Sequence, residues 1–172
     1  MSVSCLKMTT NGFRFFIDQE DETRVNQYCW YAAKKKADNT YYVVSTTAEH
    51  ILLHRMLVNA TGSVEVDHEN GNGLDNRKEN LRIATRLQNA RNRRKTLIVG
   101  GRKATSQYKG VMWRGGKWVA TIWYDGKSRH LGVYDSEIDA AMAYDAASEK
   151  HHGRFGRKNF PEGINNMETK TA

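Results

Sequence analysis

The stretch VDHENGNGLDNRKENLRIATRLQNARNRR, residues 66–94, decides the fold of the N-terminal half. It places an acid beside a histidine, Asp67 and His68, follows them with a turn rich in glycine and asparagine, and ends in an arginine-rich segment that carries Asn89 and Asn92. Carboxylate and amide oxygens suit a hard cation, histidine exchanges a proton near neutral pH, and clustered arginines attract phosphate. Together these residue types indicate metal-assisted hydrolysis of a phosphodiester.

Two strands joined by a long structured loop are predicted around the turn. Residues 64–67 alternate between valine and acid, which places the valines on one face of a strand and Asp67 on the other, pointing away from the core. The glycine and asparagine residues that follow His68 permit tight reversals of the chain. Residues 81–83 then form the returning strand of a β-hairpin.

A capped helix is predicted after the hairpin. Thr85 and Gln88 have the spacing of a capping box, so the helix should begin at Thr85. Asn89, Asn92 and Arg93 share one face of it, because positions three and four apart are neighbours on a helix. Asparagine is a mediocre helix former, and a carboxamide oxygen that binds a cation accounts for its presence there.

Two other ligand-binding patterns do not fit the same residues. Counted from Asp67, an EF-hand calcium loop requires glycine where Asn72 stands and glutamate where Lys78 stands. The sequence also lacks a dinucleotide-binding or P-loop fingerprint. His54, in an apolar run, stays open between a hydrogen-bonded structural role and a functional one.

The residues before this stretch predict a small α+β layer that packs under the hairpin. Strands are expected at residues 12–17 and 41–45, and residues 51–58 form a buried apolar run. Between the two strands, side chains from Val25 to Trp30 recur at roughly helical spacing. That segment is therefore expected to be helical.

A second module is predicted to begin at Ser106. Strand-like stretches occupy residues 110–113, 117–124 and 128–134, and the Gly-Gly and Asp-Gly pairs between them are strong hairpin signals. A helix capped by Ser136 follows, with small alanines that allow close approach to a sheet. The module should therefore be a three-stranded sheet backed by one helix.

Composition points to an intracellular protein that binds a polyanion. The 172 residues carry a formal net charge of +8, and many of the basic residues lie between Arg77 and Lys103. No apolar run reaches the roughly 18 to 20 residues of a membrane span, and the N-terminus lacks the pattern of a signal peptide. Cys5 and Cys29 are isolated, which predicts reduced thiols and no structural zinc. We expect double-stranded DNA as the partner, no membrane, and a cytoplasmic location.

The first module resembles the HNH nucleases with a ββα-metal core, in the branch of phage and intron-encoded homing endonucleases. The resemblance covers residues 50–94 and rests on the Val-Asp-His strand end, on the Asn80-Leu81 step and on the helix that carries Asn89. It implies that His68 is the general base that activates water. It also implies that Asp67 and Asn89 hold one divalent metal ion, Mg²⁺ with Mn²⁺ able to replace it, and that Asn80 supports the loop.

The second module resembles the AP2 DNA-binding domain over residues 106–161. The resemblance rests on the segments YKGV, KWVA and HLGVY, on the alanine-rich helix and on the closing Asn159-Phe160. It implies that the exposed face of the sheet enters the major groove. The DNA contacts that it implies are Lys109, Met112, Arg114, Lys117, Thr121, Trp123 and Arg129. Because several reading arginines of the plant members are matched by other residues here, the target sequence cannot be transferred.

The chain is therefore expected to be an α+β protein in four parts. These are an HNH nuclease domain with an N-terminal α+β extension (1–94), a basic linker (95–105), an AP2-like domain (106–161) and a frayed tail (162–172). Further DNA contacts are expected from Arg55, Arg86, Arg91, Arg93 and Arg94.

The expected activity is site-directed hydrolysis of DNA by a homing endonuclease. One nuclease motif per chain predicts a monomer that nicks one strand, in the host cytoplasm if the gene belongs to a phage. Three alternatives stay open. They are a sequence-specific DNA-binding regulator with an inactive nuclease module, a structural or RNA-binding protein, and a nonspecific toxin nuclease.

Overall fold

The computed structural model describes residues 3–35, 40–47, 50–99 and 101–162. Within them the chain combines a few helices with small antiparallel sheets, as expected of a mixed α and β protein. It divides into two compact units, Met1–Asn92 and Arg93–Ala172. Each unit has a hydrophobic cluster of its own.

The first unit is built from two-stranded antiparallel sheets and short helices. Its described strands are β1 (Ser4–Met8), β2 (Arg14–Asp18), β3 (Trp30–Lys35), β4 (Thr40–Ser45), β5 (Glu65–His68) and β6 (Leu81–Ala84), and its described α-helices are α1 (Glu22–Val25), α2 (Leu53–Leu57) and α3 (Arg86–Asn92). β1 pairs with β2, β3 with β4, and β5 with β6.

The core of the first unit positions the β5–β6 hairpin. Phe15 and Ile17 of β2 are almost fully buried, and Trp30 packs in the same cluster. Val66 of β5 and Leu81 of β6 belong to that cluster as well. Burying a side chain of this size contributes about 1.5–3 kcal/mol, so the hairpin is anchored by its apolar face.

The structure does not contain the helix that was expected between Val25 and Trp30. The helix α1 ends at Val25, and Trp30 begins the strand β3. The Trp30 ring is 5% exposed, and its indole N–H donates to the carbonyl of Val25 at 2.9 Å. The segment is short, so its helical spacing is a weak preference. Burial of the Trp30 side chain in a strand is the stronger one.

The strands β5 and β6 and the helix α3 form where the sequence predicts them. The register pairs Asp67 with Arg82. At the start of α3 the amide of Thr85 donates to Gln88 Oε1 at 2.8 Å, and the amide of Gln88 donates to Thr85 Oγ1 at 3.2 Å. This reciprocal pair is the predicted capping box.

Asp67 lies on the face of β5 opposite to Val66, but that face is covered too. Val66 is only 7% exposed and Asp67 only 6% exposed. Val66 meets the hydrophobic cluster, whereas α3 packs over the face that carries Asp67. The carboxylate is therefore buried between a strand and a helix.

The second unit is a three-stranded antiparallel sheet with one long helix and a small hairpin. Its described strands are β7 (Ile98–Val99), β8 (Arg102–Lys103), β9 (Val111–Arg114), β10 (Lys117–Tyr124) and β11 (Lys127–Tyr134), and its α-helix is α4 (Glu137–His152). β10 is the central strand of the three-stranded sheet, between β9 and β11. The hairpin signals therefore predicted this sheet correctly.

The helix α4 packs on one face of the sheet through small residues. Ala140 and Ala141 are fully buried against Val111 and Ala120. The Ser136 side chain accepts hydrogen bonds from two backbone amides of the first turn, as the predicted cap requires. The helix covers one face of the sheet. The opposite face, which carries the exposed residues Met112 and Trp123, is called the open face below.

Residues 95–105, expected as a linker, contain the hairpin β7–β8 and belong to the second unit. Lys95 Nζ donates to the backbone carbonyls of Tyr108 and Val111 at 2.8 and 2.6 Å. The segment is thus tied to the strand β9 rather than left as a plain connector.

The tail that was expected to be frayed lies outside the described residues after Glu162. None of the helices in the described part of the chain is long and apolar enough to cross a membrane.

Candidate active site and nucleic-acid interface

The loop between β5 and β6, residues 69–80, is held against the rest of the first unit. The backbone amide of Asn76 donates to the carbonyl of Phe16 in β2 at 2.8 Å. A Cβ atom on Gly73 would lie 2.2 Å from the carbonyl oxygen of Tyr41, so only glycine permits this close approach to β4. The loop therefore has a defined position beside the end of β5.

Asn80 joins the two arms of this loop. Its Oδ1 accepts from the amide of Asn70 at 2.9 Å, and its Nδ2 donates to the carbonyl of Asp75 at 2.7 Å. The hydrogen bonds from Arg77 lower the pKa of the Asp75 carboxyl and hold it in its charged form. Asn80 thus lies where support of the loop is needed.

His68 ends β5 and is surrounded by side chains. Its imidazole is buried, and Nε2 lies 3.2 Å from Oδ1 of Asn76. The ring of His54 meets it edge to face with 4.9 Å between centroids, and the ring of Tyr42 lies 5.7 Å away. Three neighbours therefore limit how the imidazole can turn.

Burial keeps both histidines uncharged at neutral pH. It lowers the pKa of His68 below the ordinary value of 6.5, outweighing the hydrogen bond to Asn76 and the charges of Asp67 and Asp75, which raise it. Burial also lowers the pKa of His54, to about 3. A neutral imidazole can accept a proton from water, so His68 is in the form that a general base requires.

Buried donors hold the carboxylate of Asp67. Arg82 Nε and Nη2 donate to its Oδ2 at 2.9 and 2.7 Å, and Asn92 Nδ2 lies 3.1 and 3.0 Å from Oδ1 and Oδ2. Arg82 and Asn92 are themselves buried. Asn92 Nδ2 also lies 2.8 Å from the carbonyl of His68. The end of α3 is therefore joined to the end of β5 around a paired charge.

Asn89, expected beside Asp67, contacts the neighbouring acid. Its Nδ2 donates to Glu65 Oε2 at 2.6 Å. Glu65 and Asp67 are two residues apart in a strand, and Asn89 and Asn92 are three apart in a helix, so both pairs share a face. The structure accordingly brings Asn89 to Glu65 and Asn92 to Asp67.

The side-chain oxygens of Glu65, Asp67 and Asn89 are of the type that binds a hard divalent cation. Asn89 uses its side-chain nitrogen toward Glu65, which leaves its side-chain oxygen as the atom that would ligate a cation beside Glu65. Carboxylate and amide oxygens are the ligands that Mg²⁺ and Mn²⁺ take. Within the described residues, no three His, Cys, Asp or Glu side chains are grouped to hold a metal ion. Amide, phosphate and water oxygens would have to complete the shell.

The arginines expected to contact phosphate in the first module differ in exposure. Arg55 uses its guanidinium to hold the backbone carbonyls of Gly62, at 2.9 Å, and Val64. Arg91 is half-buried. The exposed members of the set are Arg86 in the first unit and Arg93 and Arg94 in the second.

The open face of the three-stranded sheet collects most of the contacts expected in the second module. Ala120 and Ile122 of β10 are buried toward α4, so the alternating residues of that strand point to the other side. β9 pairs with β10 in a register that adds its own alternating residues to the same face. The expected contacts found on the open face are Met112, Arg114, Lys117, Thr121 and Trp123, of which Trp123 is 59% exposed.

A register shift removes Arg129 from this face. The pairing of β10 with β11 shifts between Ala120 and Thr121, so Thr121 lies opposite His130 and Ile122 opposite Arg129. Directly paired residues of an antiparallel sheet point to the same side. His130 therefore shares the open face with Thr121, and Arg129 lies on the side that carries α4.

The surroundings of Arg129 agree with that placement. Its guanidinium lies 5.3 Å from the ring of Tyr124, which stacks at 3.8 Å on His151 of α4. The last expected contact, Lys109, is half-buried, and its Nζ donates to the carbonyl of Arg93 at 2.7 Å. Burial lowers the pKa of Lys109 to about 8. Both side chains have structural partners within the second unit.

Residues 53–91 match the model of an HNH endonuclease family. The matched span includes the expected site residues Asp67, His68, Asn80 and Asn89, and Asn92 lies just beyond it. The match supports a nuclease, and HNH enzymes usually use a divalent metal ion.

Part of the chain is also similar to plant transcription factors. An AP2-like ethylene-responsive transcription factor of Arabidopsis thaliana is 42% identical over 66 residues, 37% of this chain and 14% of the relative. APETALA2-like protein 2 of Oryza sativa is 43% identical over 63 residues, 36% of this chain and 14% of the relative. The dehydration-responsive element-binding protein 2C of Arabidopsis thaliana is 42% identical over 76 residues, 42% of this chain and 22% of the relative. The chain thus spans less than a quarter of these relatives.

Sequence reasoning did not single out several residues of the HNH region and the sheet. Asn76 was part of a turn signal, and Arg82 had no visible partner before the register of β5 and β6 was known. Asn92 had been placed on the same helix face as Asn89, which was the available signal for its contact with β5. His130 was missed because its side of the sheet depends on the register shift in β11.

Proposed function

We propose that the protein is a metal-dependent DNA endonuclease whose first unit cuts and whose second unit binds duplex DNA. The observation that carries the proposal is the adjacent pair Asp67 and His68 at the end of β5. It lies inside the span that matches HNH endonucleases, beneath a helix that presents Asn89 and Asn92 along the same strand.

A divalent cation would be held by Asp67 and Asn89, whose oxygens supply the required hard donors. When bound, it offsets negative charge on the phosphate and on the departing 3′ oxygen. Arg82 and Asn92 fix the Asp67 carboxylate before any cation arrives. A cation at Asp67 would have to share the carboxylate oxygens with these two donors.

His68 removes a proton from the attacking water. The imidazole is neutral because it is buried, and its ring is held by Asn76, His54 and Tyr42. Asn80 keeps the two arms of the neighbouring loop together. The proposed reaction is thus general-base hydrolysis of a phosphodiester, for which a cation held by Asp67 and Asn89 would supply charge stabilisation.

Binding of DNA is assigned to exposed basic residues and to the open face of the second sheet. Arg86, Arg93 and Arg94 supply charge for phosphates. The face that carries Arg114, Thr121 and Trp123, together with His130, reads bases in the major groove. We therefore propose a site-directed enzyme of the homing type, in which specificity for the DNA sequence comes mainly from the sheet.

Nicking of supercoiled plasmid tests the catalytic assignment. With Mg²⁺ present, His68→Ala is expected to cut about 10²- to 10⁴-fold more slowly while binding DNA normally in a gel shift, because a positioned base contributes that much. His50→Ala is the matched control, since His50 is an exposed histidine of the same unit and outside the site. Wild-type cleavage by His68→Ala contradicts the assignment.

Digestion of long duplex DNA, with and without Mg²⁺, separates the rival functions. Discrete cuts support a site-directed enzyme, and resolving the two strands in a single turnover shows whether one chain nicks. Indiscriminate cuts indicate a nonspecific nuclease. Tight binding without any cut indicates a DNA-binding regulator with an inactive nuclease module.

A further inference from the structure

Two exposed lysines at the end of β3 lie on opposite faces of the β3–β4 hairpin. The register pairs Lys34 with Tyr41 and Lys35 with Thr40. Directly paired residues share a face, and neighbours along a strand alternate between faces. Lys35 therefore shares a face with Tyr42, whereas Lys34 shares the other face with Tyr41. The Lys35 ammonium accordingly lies 5.6 Å from the centroid of the Tyr42 ring, within the range of a cation–π contact.

The ring of Tyr42 connects Lys35 to the candidate active site. It lies 5.7 Å from the ring of His68 and 5.5 Å from the ring of His54, measured between centroids. A Cβ atom on Gly73 would lie 3.0 Å from Cδ1 of Tyr42, so the β5–β6 loop packs directly against the same ring. Burial is the main cause of the low pKa of His54, and the charge of Lys35 is a further, smaller cause. The Lys35 ammonium therefore lies on the side of the hairpin that faces the site.

Lys34 has a similar setting on the other face of the hairpin. Its ammonium lies 5.9 Å from the centroid of the Tyr41 ring. That ring packs against Phe13, with 4.4 Å between centroids, rather than against an imidazole. The two lysines thus match in charge, in exposure and in aromatic contact, and they differ in the face on which they lie. Lys34 is therefore a matched control for Lys35.

A lysine in the position of Lys35 suits one class of ligand, the phosphate groups of a nucleic-acid strand. Its ammonium is a compact charge with three donors, which binds a phosphate oxygen without reading the sequence. Contact with the Tyr42 ring restrains a long side chain that would otherwise lose its freedom on binding. The polyanion that must reach His68 in the proposed reaction would pass this charge.

We propose that Lys35 binds a backbone phosphate of the DNA strand that is cut, close to the phosphate attacked at His68. Successive phosphates of one strand follow at about 3.4 Å along the duplex axis, so the bound phosphate should lie within about three nucleotides of the cut. The identity of the strand rests on the proposed endonuclease activity. The phosphate contact itself can be measured without cleavage.

The first experiment measures the affinity of full-length protein for one duplex from about 50 to about 200 mM salt, with a chelator in place of Mg²⁺. Lys35→Ala should bind about 3- to 10-fold more weakly near 0.1 M salt, and its plot of log affinity against log salt should be shallower by about 0.9, the value of one phosphate contact. Lys35→Arg keeps the charge and should retain the wild-type slope. Lys34→Ala should change the affinity by less than about twofold and leave the slope unchanged.

Equal effects of Lys34→Ala and Lys35→Ala would show a general loss of charge and would overturn the proposal. A wild-type slope for Lys35→Ala would overturn it as well. These outcomes do not depend on whether the protein cuts DNA.

The second experiment places one uncharged methylphosphonate at each position of either strand around the mapped cut. Wild-type protein and Lys34→Ala should lose affinity when the phosphate bound by Lys35 is replaced. Lys35→Ala should lose nothing further at that position, because the partner of the phosphate is already absent. If the position that behaves in this way lies on the uncut strand, or more than about three nucleotides from the cut, the assignment is wrong.

The outcomes separate this proposal from the proposed function. If the wild-type protein binds DNA and cuts none, the proposed function fails, while the comparison of Lys35→Ala with Lys34→Ala still decides the phosphate contact. If the protein cuts DNA and Lys35→Ala keeps the wild-type salt dependence, the endonuclease stands and the role of Lys35 is wrong.

Discussion

His54 is a buried, uncharged histidine whose titration should make the first unit sensitive to acid. Burial lowers its pKa from 6.5 to about 3, so the unfolded chain binds this proton more tightly than the folded protein does. The contribution of uncharged His54 to the stability of the folded protein is complete above pH 6.5 and is lost as the pH falls from 6.5 toward 3. At pH 5 the loss from His54 alone should be about 2 kcal/mol in the free energy of unfolding.

Urea unfolding at pH 7 and pH 5 measures this loss, with His54→Phe as the control. Phenylalanine keeps an aromatic ring against His68 and Tyr42 but cannot titrate, and Nδ1 of His54 has no hydrogen-bond partner to lose within the described part of the chain. The variant should retain only the acid sensitivity due to His68 and other groups. Equal losses in wild type and variant contradict the prediction.

The residues of the site were visible in the sequence to very different degrees. Asp67 and His68 stand side by side, so their proximity needs no fold. Arg82 and Asn92 reach Asp67 only through the strand register and the packing of α3. From residue type and spacing alone, Arg82 and Asn92 could equally well have been exposed surface residues or ligand-binding residues. Partners that neutralise a buried charge are therefore the part that sequence alone does not supply.

At the scale of elements, the register shift in the second sheet predicts which of two adjacent residues reads bases. His130 shares the open face with Thr121, and Arg129 lies on the side of α4. His130→Ala should lower the ratio of specific to nonspecific DNA affinity by about 5- to 100-fold, since a base contact contributes roughly 1–3 kcal/mol. Arg129→Ala should leave that ratio unchanged, although losing a positive charge weakens binding to every sequence.

The measurement needs a binding site selected from random duplexes with wild-type protein. Competition at one salt concentration then gives the two affinities for each variant. A larger drop in the ratio for Arg129→Ala than for His130→Ala would mean that strict alternation, and not the register shift, governs the reading face.

Local chemistry made some elements predictable and left others hidden. The capping box at Thr85 and the cap at Ser136 are sequence signals whose partners lie within one turn, and both helices begin as predicted. The segment from Val25 to Trp30 was misread because its spacing fitted a helix while its burial required a strand. The β7–β8 hairpin carries no hydrophobic alternation, so a basic linker was the natural interpretation.

At the scale of the whole molecule, the two units give the chain separable tasks. Each unit has its own hydrophobic cluster, and the residues proposed for chemistry and for base reading fall in different units. Damage to the reading face should therefore alter where DNA is cut without altering the cutting step. Damage at His68 should do the reverse.

Trp123→Ala in the full-length protein tests this separation. Trp123 is 59% exposed on the open face of the sheet, and its loss should make cuts in long DNA less discrete and raise KM at the preferred site about 5- to 100-fold, the cost of one good base contact. Single-turnover kcat at saturating DNA should stay within about twofold, because Trp123 lies outside the unit proposed to carry the chemistry. Ile138→Ala, which truncates an exposed apolar residue on α4, is the control and should change neither quantity. A fall in kcat as large as that of His68→Ala would show that the second unit takes part in the chemical step.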